Sequence, residues 1–260
     1  MGVLMRTVKD FYDYLDAIAP FSSQEAWDNS GLLVGGLDRV VDRAAVVLDL
    51  NEETLNQAIS FETDLIITHH PVIFKAQKNF LDDSLAYRLA ENGISVIATH
   101  TPFDSAEGGV NDILADLLEL TKVEILSTRD CEELLRVGFT DTTNASDFAD
   151  FVSRQLNADV RFCDGGKEIE TVAVCGGAGA DFATEIAEMG IDALVTGDAK
   201  YHEFLDAKEN GLTLIAAGHF ETENPAMSIL AGKLRGNFSE TDIIVLSQTN
   251  PVQYLNKGNL

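Results

Sequence analysis

The sequence predicts an α/β fold made of two α/β domains with mainly parallel or mixed sheets. Short apolar segments alternate with segments of helical periodicity along most of the chain, which is the pattern of strands connected by helices. The 260 residues are 45% hydrophobic and 23% charged, which is enough apolar material for two cores. Three of the apolar segments also end in histidine, and this observation places a candidate site on the predicted fold.

The first half of the chain opens with a helix and a loop. Segment 7–20 has apolar residues at helical spacing and ends at Pro20, which predicts a helix. The polar, glycine-punctuated segment 21–35 predicts a loop, with Trp27 covering a neighbouring part of the fold. Strands and helices then alternate, in the order 44–50, a helix from Asn51, 65–70, 84–93, 95–100 and 108–120.

The second half repeats this alternation after a change in pattern near residues 122–130. Two strands are predicted on either side of a turn at Asp164-Gly165-Gly166. The other predicted strands lie at 134–140, 192–197, 213–219 and 242–248. The predicted helices lie at 145–156, 181–189, 199–210 and 225–234. No low-complexity linker separates the halves, so a boundary near residue 125 rests on the change in pattern alone.

The charge balance restricts the partners of the protein. The chain carries 18 basic and 43 acidic residues, for a formal net charge of −25. A surface of this sign repels a phosphate backbone, so we expect no nucleic-acid partner. A small anionic substrate is compatible with such a surface only through a local positive centre, such as a metal ion. The acidity by itself is more typical of solubility than of a particular function.

The cysteines and the apolar segments indicate the compartment. Cys131, Cys163 and Cys175 form no C-x-x-C pair and are odd in number, which argues against a disulfide framework. The N-terminal segment lacks the apolar core of a signal peptide. No apolar stretch approaches the roughly 18 residues of a membrane span. We therefore expect a cytoplasmic protein with reduced cysteines and no membrane contact.

Four of the five histidines follow predicted strands. LIITHH ends in His69 and His70, SVIATH ends in His100, and TLIAAGH ends in His219. In open parallel sheets, ligands bind outside the carboxyl ends of the strands. We therefore expect these histidine side chains to converge at one site.

Two carboxylates accompany the histidines and point to a metal site. Asp104 lies four residues after His100, and Glu223 lies four residues after His219. Imidazoles and carboxylates are ligands of zinc, iron, manganese and related divalent ions. Adjacent strand residues point to opposite sides, so two neighbouring histidines serve two ions more naturally than one. Bridging carboxylates would then lie between ions about 3.5–4 Å apart.

Simpler interpretations exist for each residue taken alone. A single histidine after a strand is more often a polar loop residue or a hydrogen-bonded core residue, and a histidine–carboxylate pair four residues apart can be a surface pair on a helix. The coincidence at three strand ends favours the site. His202 is either a helix-surface residue or a residue at the rim of the site. Gly108-Gly109 predicts a tight turn, because no GK[ST] follows it, and Pro71 and Pro102 favour extended backbone after two of the strands.

Five stretches, in order along the chain, resemble the Nif-three-like family, many of whose members are called GTP cyclohydrolase I type-two homologs. The stretches are AWDNSGLLVG (26–35), DLIITHHP (64–71), THTPFDSAEGGVND (99–112), TGDAKYHEF (196–204) and AAGHFETE (216–223). The resemblance implies a dinuclear metal centre in a cleft between two α/β domains, and a ring-shaped homohexamer.

Carried over residue by residue, the resemblance implies five metal ligands: His69, His70, Asp104, His219 and Glu223. His100 lies outside that set, and we expect it to be a pocket residue that hydrogen-bonds near Asp104 and carries protons. The first domain is expected to comprise 1–125 with 215–260 and to carry most of the ligands. The second domain is expected to comprise 126–214.

The predicted site favours a metal-dependent hydrolase that acts on a nucleotide-like or phosphorylated small molecule, because water between two cations is acidic enough to be hydroxide near neutral pH. The cyclohydrolase name would require attack of water on the imidazole ring of the guanine of GTP, but the sequence contains no guanine-reading motif. A non-catalytic metal-binding or regulatory protein is the alternative. A phosphoesterase or nuclease is less favoured, because D-x-H and GNHE-type motifs are missing.

Overall fold

The computed structural model describes residues 5–129 and 133–255. Strands and helices alternate along most of this part of the chain. The strands are β1 (Gly31–Val34), β2 (Arg43–Val47), β3 (Leu65–Thr68), β4 (Ser95–Ala98), β5 (Thr121–Leu126), β6 (Leu135–Thr143), β7 (Arg161–Cys163), β8 (Ile169–Cys175), β9 (Ala193–Thr196), β10 (Thr213–Ala216) and β11 (Asp242–Val245). The helices are α1 (Val8–Ile18), α2 (Glu52–Ser60), α3 (Leu85–Glu91), α4 (Thr101–Ser105), α5 (Val110–Leu117), α6 (Ala145–Leu156), α7 (Ala183–Glu188), α8 (Tyr201–Glu209) and α9 (His219–Asn237).

The chain divides into two compact units. Unit 1 comprises Met1–Ile113 and Asn224–Gln248, and unit 2 comprises Leu114–Glu223 and Thr249–Leu260. The chain therefore changes unit inside helices α5 and α9. The domain limits expected from the sequence, near residues 125 and 215, stay a prediction.

Unit 1 holds a five-stranded sheet within its described residues, in the order β1-β4-β3-β2-β11. The last four strands of that order are parallel, and β1 runs antiparallel to β4. Val47 of β2 pairs with Thr68 of β3, and Thr68 pairs with Ala98 of β4. The carboxyl ends of these three strands are therefore level at one edge of the sheet.

The sheet of unit 1 is covered on both faces. Every residue of β3 and β4 is fully buried, as is typical of parallel strands between helix layers. Helices α2 and α3 begin after Asn51 and Ser84, whose side chains accept hydrogen bonds from the backbone nitrogens of Thr54 and Tyr87 at 3.0 and 3.4 Å. These caps satisfy backbone donors that a helix cannot pair internally.

Unit 2 holds a six-stranded sheet within its described residues, in the order β5-β6-β8-β9-β10-β7. β8, β9 and β10 are parallel, whereas the β5, β6 and β7 pairings are antiparallel. Neighbouring residues of β8 enter different cores: Val172 and Val174 pack in one cluster and Ala173 in the other. The predicted fold class, two α/β sheets of mixed strand direction, is confirmed.

Two segments near the first sheet differ from the sequence prediction. The predicted loop 21–35 contains β1, a four-residue edge strand that glycines and polar residues flank. The predicted extended segment after β4 is helix α4, with Pro102 in its first turn. Proline is tolerated there because the N–H groups of the first helical turn have no acceptor within the helix, so the missing N–H breaks no helical hydrogen bond.

Two further elements were missed or misplaced. Strand β5 occupies the region where the sequence showed only a change of pattern. Helix α9 begins at His219, not at Pro225, which lies inside it. The prediction used the proline as a start signal, but Pro225 lies inside the helix, where it cannot donate a hydrogen bond to the carbonyl of Glu221. His219 and Glu223 are consequently one turn apart on a helix.

The remaining predictions on cysteines and membrane spans concern the described residues only. Cys163 and Cys175 are reduced cysteines outside any disulfide, and Cys131 lies outside the part of the chain that the structure describes. No helix found in residues 5–129 and 133–255 is both long and apolar enough to cross a lipid bilayer.

Asp192 fastens the start of β8 to β9 in unit 2. Its Oδ2 accepts hydrogen bonds from the backbone nitrogens of Glu170 and Thr171 at 3.1 and 2.9 Å and from the Thr171 hydroxyl at 2.7 Å, and Lys167 Nζ lies 2.9 Å from Oδ1. Burial acts to raise the pKa of the Asp192 carboxyl, but the bonds from Lys167 and Thr171 outweigh it and lower the pKa from 3.8 to about 2.

We expect Asp192→Asn to lower the free energy of unfolding by roughly 2 kcal/mol near neutral pH. Because the folded-state pKa is depressed, this stabilisation is complete above the unfolded-state pKa and is lost as the pH falls towards 2. Urea titrations followed by circular dichroism between pH 7 and pH 2 measure the difference. Asp150→Asn, at a carboxylate that is 65% exposed, is the control. A difference between wild type and Asp192→Asn that does not depend on pH would contradict this assignment.

Candidate metal centre

His69 and His70 continue directly from β3 towards the edge of the unit 1 sheet. Their backbone nitrogens both donate towards β2, to the carbonyls of Val47 and Leu48 at 3.1 and 3.0 Å, so the regular strand hydrogen bonding ends at Thr68. The His69 side chain is completely buried, whereas that of His70 is 24% exposed. The ring centroids are 5.0 Å apart. The two imidazoles therefore lie side by side, although adjacent strand residues are expected to point to opposite sides.

Oxygen acceptors fix the orientation of both rings. The Thr99 carbonyl lies 3.0 Å from His69 Nδ1, and Asp49 Oδ1 lies 2.6 Å from His70 Nδ1. A carbonyl or carboxylate oxygen can only accept, so each Nδ1 must carry the hydrogen. The neutral ring then presents the lone pair of Nε2, which is the form that binds a metal.

His100, at the start of α4, has the same arrangement. Its Nδ1 lies 2.8 Å from Asp28 Oδ1, and the Thr101 hydroxyl donates to Asp28 Oδ2 at 2.6 Å. Burial acts to raise the pKa of the Asp28 carboxyl, but the hydrogen bonds from His100 and Thr101 outweigh it and hold the pKa well below its usual range. Asp28 is therefore expected to be ionised near neutral pH, beside the His100 ring.

The three histidines of unit 1 form a cluster that fits a divalent ion. One possible ligand atom from each of His69, His70 and His100 lies within 4.8 Å of the others. The His100 ring is nearly perpendicular to both neighbours, with centroids 5.1 Å from His69 and 5.3 Å from His70. His100 was expected to be a pocket residue near Asp104, and its ring also lies in direct contact with the rings of His69 and His70.

Helix α4 returns the chain towards His69. The backbone nitrogen of Asp104 donates to the His100 carbonyl at 3.1 Å, and Asp104 Oδ1 lies 3.4 Å from His69 Nε2. The Asp104 side chain is only 12% exposed. A carboxylate oxygen beside a lone-pair nitrogen is a suitable donor set for zinc, iron or manganese.

Unit 2 brings His219 and Glu223 together on the first turn of α9. His219 Nε2 lies 3.2 Å from Glu223 Oε2, and His219 Nδ1 lies 2.7 Å from Asp198 Oδ2. Asp198 follows β9, and its backbone nitrogen donates to the Gly177 carbonyl at 2.7 Å. The loops after parallel strands β8, β9 and β10 therefore orient this pair, and here too an oxygen acceptor holds Nδ1.

Gly177 provides the space that these two side chains occupy. Its φ is +64°, and a Cβ added to it would stand 2.2 Å from Glu223 Oε1 and 3.1 Å from His219 Nε2. A side chain at this position would therefore displace both donor groups.

The orienting carboxylates were not predicted from the sequence. Asp49 follows β2 and Asp198 follows β9, so the strand-end argument used for histidines would have found both. Asp28 lies in the loop before β1, 72 residues from His100, and carries no such signal. His202 lies on α8 with 66% of its side chain exposed, and it joins no metal-binding group among the described residues.

We expect Gly177→Ala to weaken metal binding at His219 and Glu223 about tenfold or more, because the new methyl group displaces their donor atoms. Calorimetric titration with Zn²⁺ measures the affinity. Gly190→Ala is a matched control, since Gly190 has φ +80° but no atom within 4 Å of the added Cβ. Equal affinities in the two variants would show that backbone strain, not collision with the donors, determines the effect.

Comparison with known proteins supports the resemblance seen in the sequence. The family model described as Duf34/NIF3 (NGG1p interacting factor 3) matches residues 6–251. A relative from Clostridium acetobutylicum, named "GTP cyclohydrolase 1 type 2 homolog", is 32% identical and is aligned over 94% of this chain and 96% of its own. A relative of the same name from Campylobacter jejuni is 33% identical over 95% and 99% of the two chains.

A solved structure shows the same fold. The crystal structure of Staphylococcus aureus hypothetical protein SA1388 superposes with a TM-score of 0.87 at 28% identity, and covers 96% of this chain and 100% of its own. The match of the family model spans nearly the whole chain. The protein therefore belongs to the Duf34/NIF3 family.

Proposed function

We propose that the protein binds two divalent metal ions and is a metal-dependent hydrolase of a nucleotide-like or phosphorylated small molecule. One observation carries the proposal: oxygen acceptors at the Nδ1 atoms of His69, His70 and His219 orient these rings, so that Nε2 is the nitrogen available to a metal ion. Such outer partners are characteristic of metal-ligating histidines.

The proposed ligands are His69, His70, Asp104, His219 and Glu223. Two ions are proposed because the adjacent histidines present separate donors and because two carboxylates are available to bridge. Zinc, iron and manganese all accept this mixture of nitrogen and oxygen ligands. With few protein ligands for each ion, coordination positions remain for water and substrate.

The chemistry of the proposal divides between the ions and the chain. Bound divalent ions would supply Lewis acidity, which lowers the pKa of water and offsets the charge of an anionic substrate. The chain supplies His100, whose imidazole can take up a proton at Nε2 while Asp28 stabilises the resulting cation through Nδ1. We propose His100 as the group that carries protons beside the metal centre.

The name of the relatives, GTP cyclohydrolase 1 type 2 homolog, supports a hydrolytic reaction on a nucleotide. The reaction that this name specifies is the ring opening of GTP. The net charge of −25 would repel such a substrate from most of the surface. Bound metal ions would therefore provide the positive potential that selects and orients it.

The test uses protein reconstituted with zinc, iron or manganese. Elemental analysis is expected to give two ions per chain, and incubation with GTP, other nucleotides and generic phosphoesters is expected to show turnover that depends on the metal. Asp104→Ala should lose the turnover, because it removes a proposed ligand. Asp13→Ala, at a carboxylate that is 57% exposed on α1, should retain it.

Three outcomes would contradict parts of this proposal. Two bound ions without turnover across the whole panel would favour a non-catalytic metal-binding or regulatory protein. A single ion after saturation would refute the dinuclear centre. Loss of metal from His100→Ala as complete as from Asp104→Ala would make His100 a ligand instead of a proton carrier.

A homohexamer is proposed from the family resemblance alone. Light scattering of the metal-loaded protein is expected to give six times the chain mass of 28.2 kDa. A stable monomer at micromolar concentration would contradict it.

A further inference from the structure

Two large aromatic rings stand exposed beside the histidine cluster of unit 1. Trp27 is 58% exposed and Phe74 is 45% exposed, and their ring centroids are 5.9 Å apart. Single exposed aromatic residues are common on protein surfaces. Two exposed rings in contact leave a larger apolar area in water, which a ligand could cover.

Both rings meet the same imidazole edge-on. The His100 centroid lies 5.7 Å from Trp27, at 75° between the ring planes, and 6.2 Å from Phe74, at 73°. His100 in turn contacts His69 and His70 through its ring. A planar molecule against the exposed aromatic pair would therefore lie directly beside the proposed metal ligands.

Hydrogen bonds hold the pair in place. Asp28, next to Trp27, accepts from Asn29 N at 2.6 Å and from the Ser30 hydroxyl at 2.9 Å. Asn29 Nδ2 donates to the Ile73 carbonyl at 2.5 Å, which joins the Trp27 loop to the residue before Phe74. The same Asp28 carboxylate holds His100. The backbone beside both rings is thus tied to the carboxylate that orients the imidazole, and this lowers the entropy cost of binding.

We propose that Trp27 and Phe74 form a stacking site for a planar heteroaromatic ring, such as a nucleobase. Stacking on an aromatic side chain is favourable for any nucleobase, because every base has a π-face. A phosphate or another small anion has no such face and gains no stacking energy. This inference rests on the proposed function for the reaction itself. It adds the chemical class of the uncharged part of the substrate.

The size of the occupant follows from the neighbours of the pair. The ligand must leave His100 and the candidate metal ligands accessible for the reaction, which a small molecule does. A second copy of the chain placed over the same rings would cover His100 as well. Self-association through the aromatic pair is accordingly an outcome that the experiment has to separate.

Trp27 is itself the probe, because the chain contains one tryptophan. Guanosine added to the full chain in EDTA, with excitation that selects tryptophan, is expected to quench the emission saturably. Inorganic tripolyphosphate should not change it. Phe74→Leu is expected to raise the Kd for guanosine about tenfold, and Phe74→Tyr, which keeps an aromatic face, should restore the affinity. Phe139→Leu, at an equally exposed phenylalanine of unit 2, should bind like the wild type.

Several results would overturn the stacking site. These are no saturable quenching by millimolar guanosine, equal quenching by tripolyphosphate, or an unchanged Kd in Phe74→Leu. Emission that changes with protein concentration instead of guanosine would assign the pair to a contact between chains. Because EDTA removes metal and no turnover is needed, a negative result here leaves metal-dependent hydrolysis of phosphoesters intact. Equally, guanosine binding without any hydrolysis would support the stacking site alone.

Discussion

The candidate site depends on one repeated interaction: an oxygen acceptor at the Nδ1 atom of a histidine. The acceptor is a backbone carbonyl for His69 and a carboxylate for His70, His100 and His219. Each contact fixes both the position of the ring and the nitrogen that carries the hydrogen. In each of the four imidazoles Nε2 is therefore the nitrogen available to a metal ion. The recurrence of this contact at four rings connects the geometry to metal chemistry.

Parallel strand register is what makes the interaction possible. Because β2, β3 and β4 end level, residues just beyond them approach one another, and His70 meets Asp49 across neighbouring strands. Unit 2 repeats the arrangement, since β8, β9 and β10 end level and Asp198 meets His219. Two separate sheets thus solve the same problem by the same rule, that ligands gather outside the carboxyl ends of parallel strands. The carboxylates also add negative charge, which divalent ions would offset.

The fold class and the strand-end histidines could be predicted from the sequence, because buried parallel strands are continuous apolar segments that are visible in a single sequence. The prediction failed where the signal depends on contacts. Strand β1 is four residues long at a sheet edge, and only its pairing with β4 distinguishes it from a loop. Helix α9 contains Pro225, which local rules place at a helix start. Asp28 contacts His100 although the two residues are 72 positions apart in the sequence. No local sequence pattern predicts a contact of this kind. The space beside Gly177 is likewise visible only in three dimensions.

The tautomers of the histidines are measurable before any metal or substrate is identified. Long-range ¹H–¹⁵N correlation spectra of the metal-free protein above pH 7 distinguish a protonated Nδ1 from a protonated Nε2 in each ring. The account predicts the Nδ1–H form for His69, His70 and His219. His202, which is 66% exposed on α8, serves as the internal reference and should show the average of a solvated imidazole. An Nε2–H form at His69 or His70 would contradict the claim that the fold prepares these rings as metal ligands.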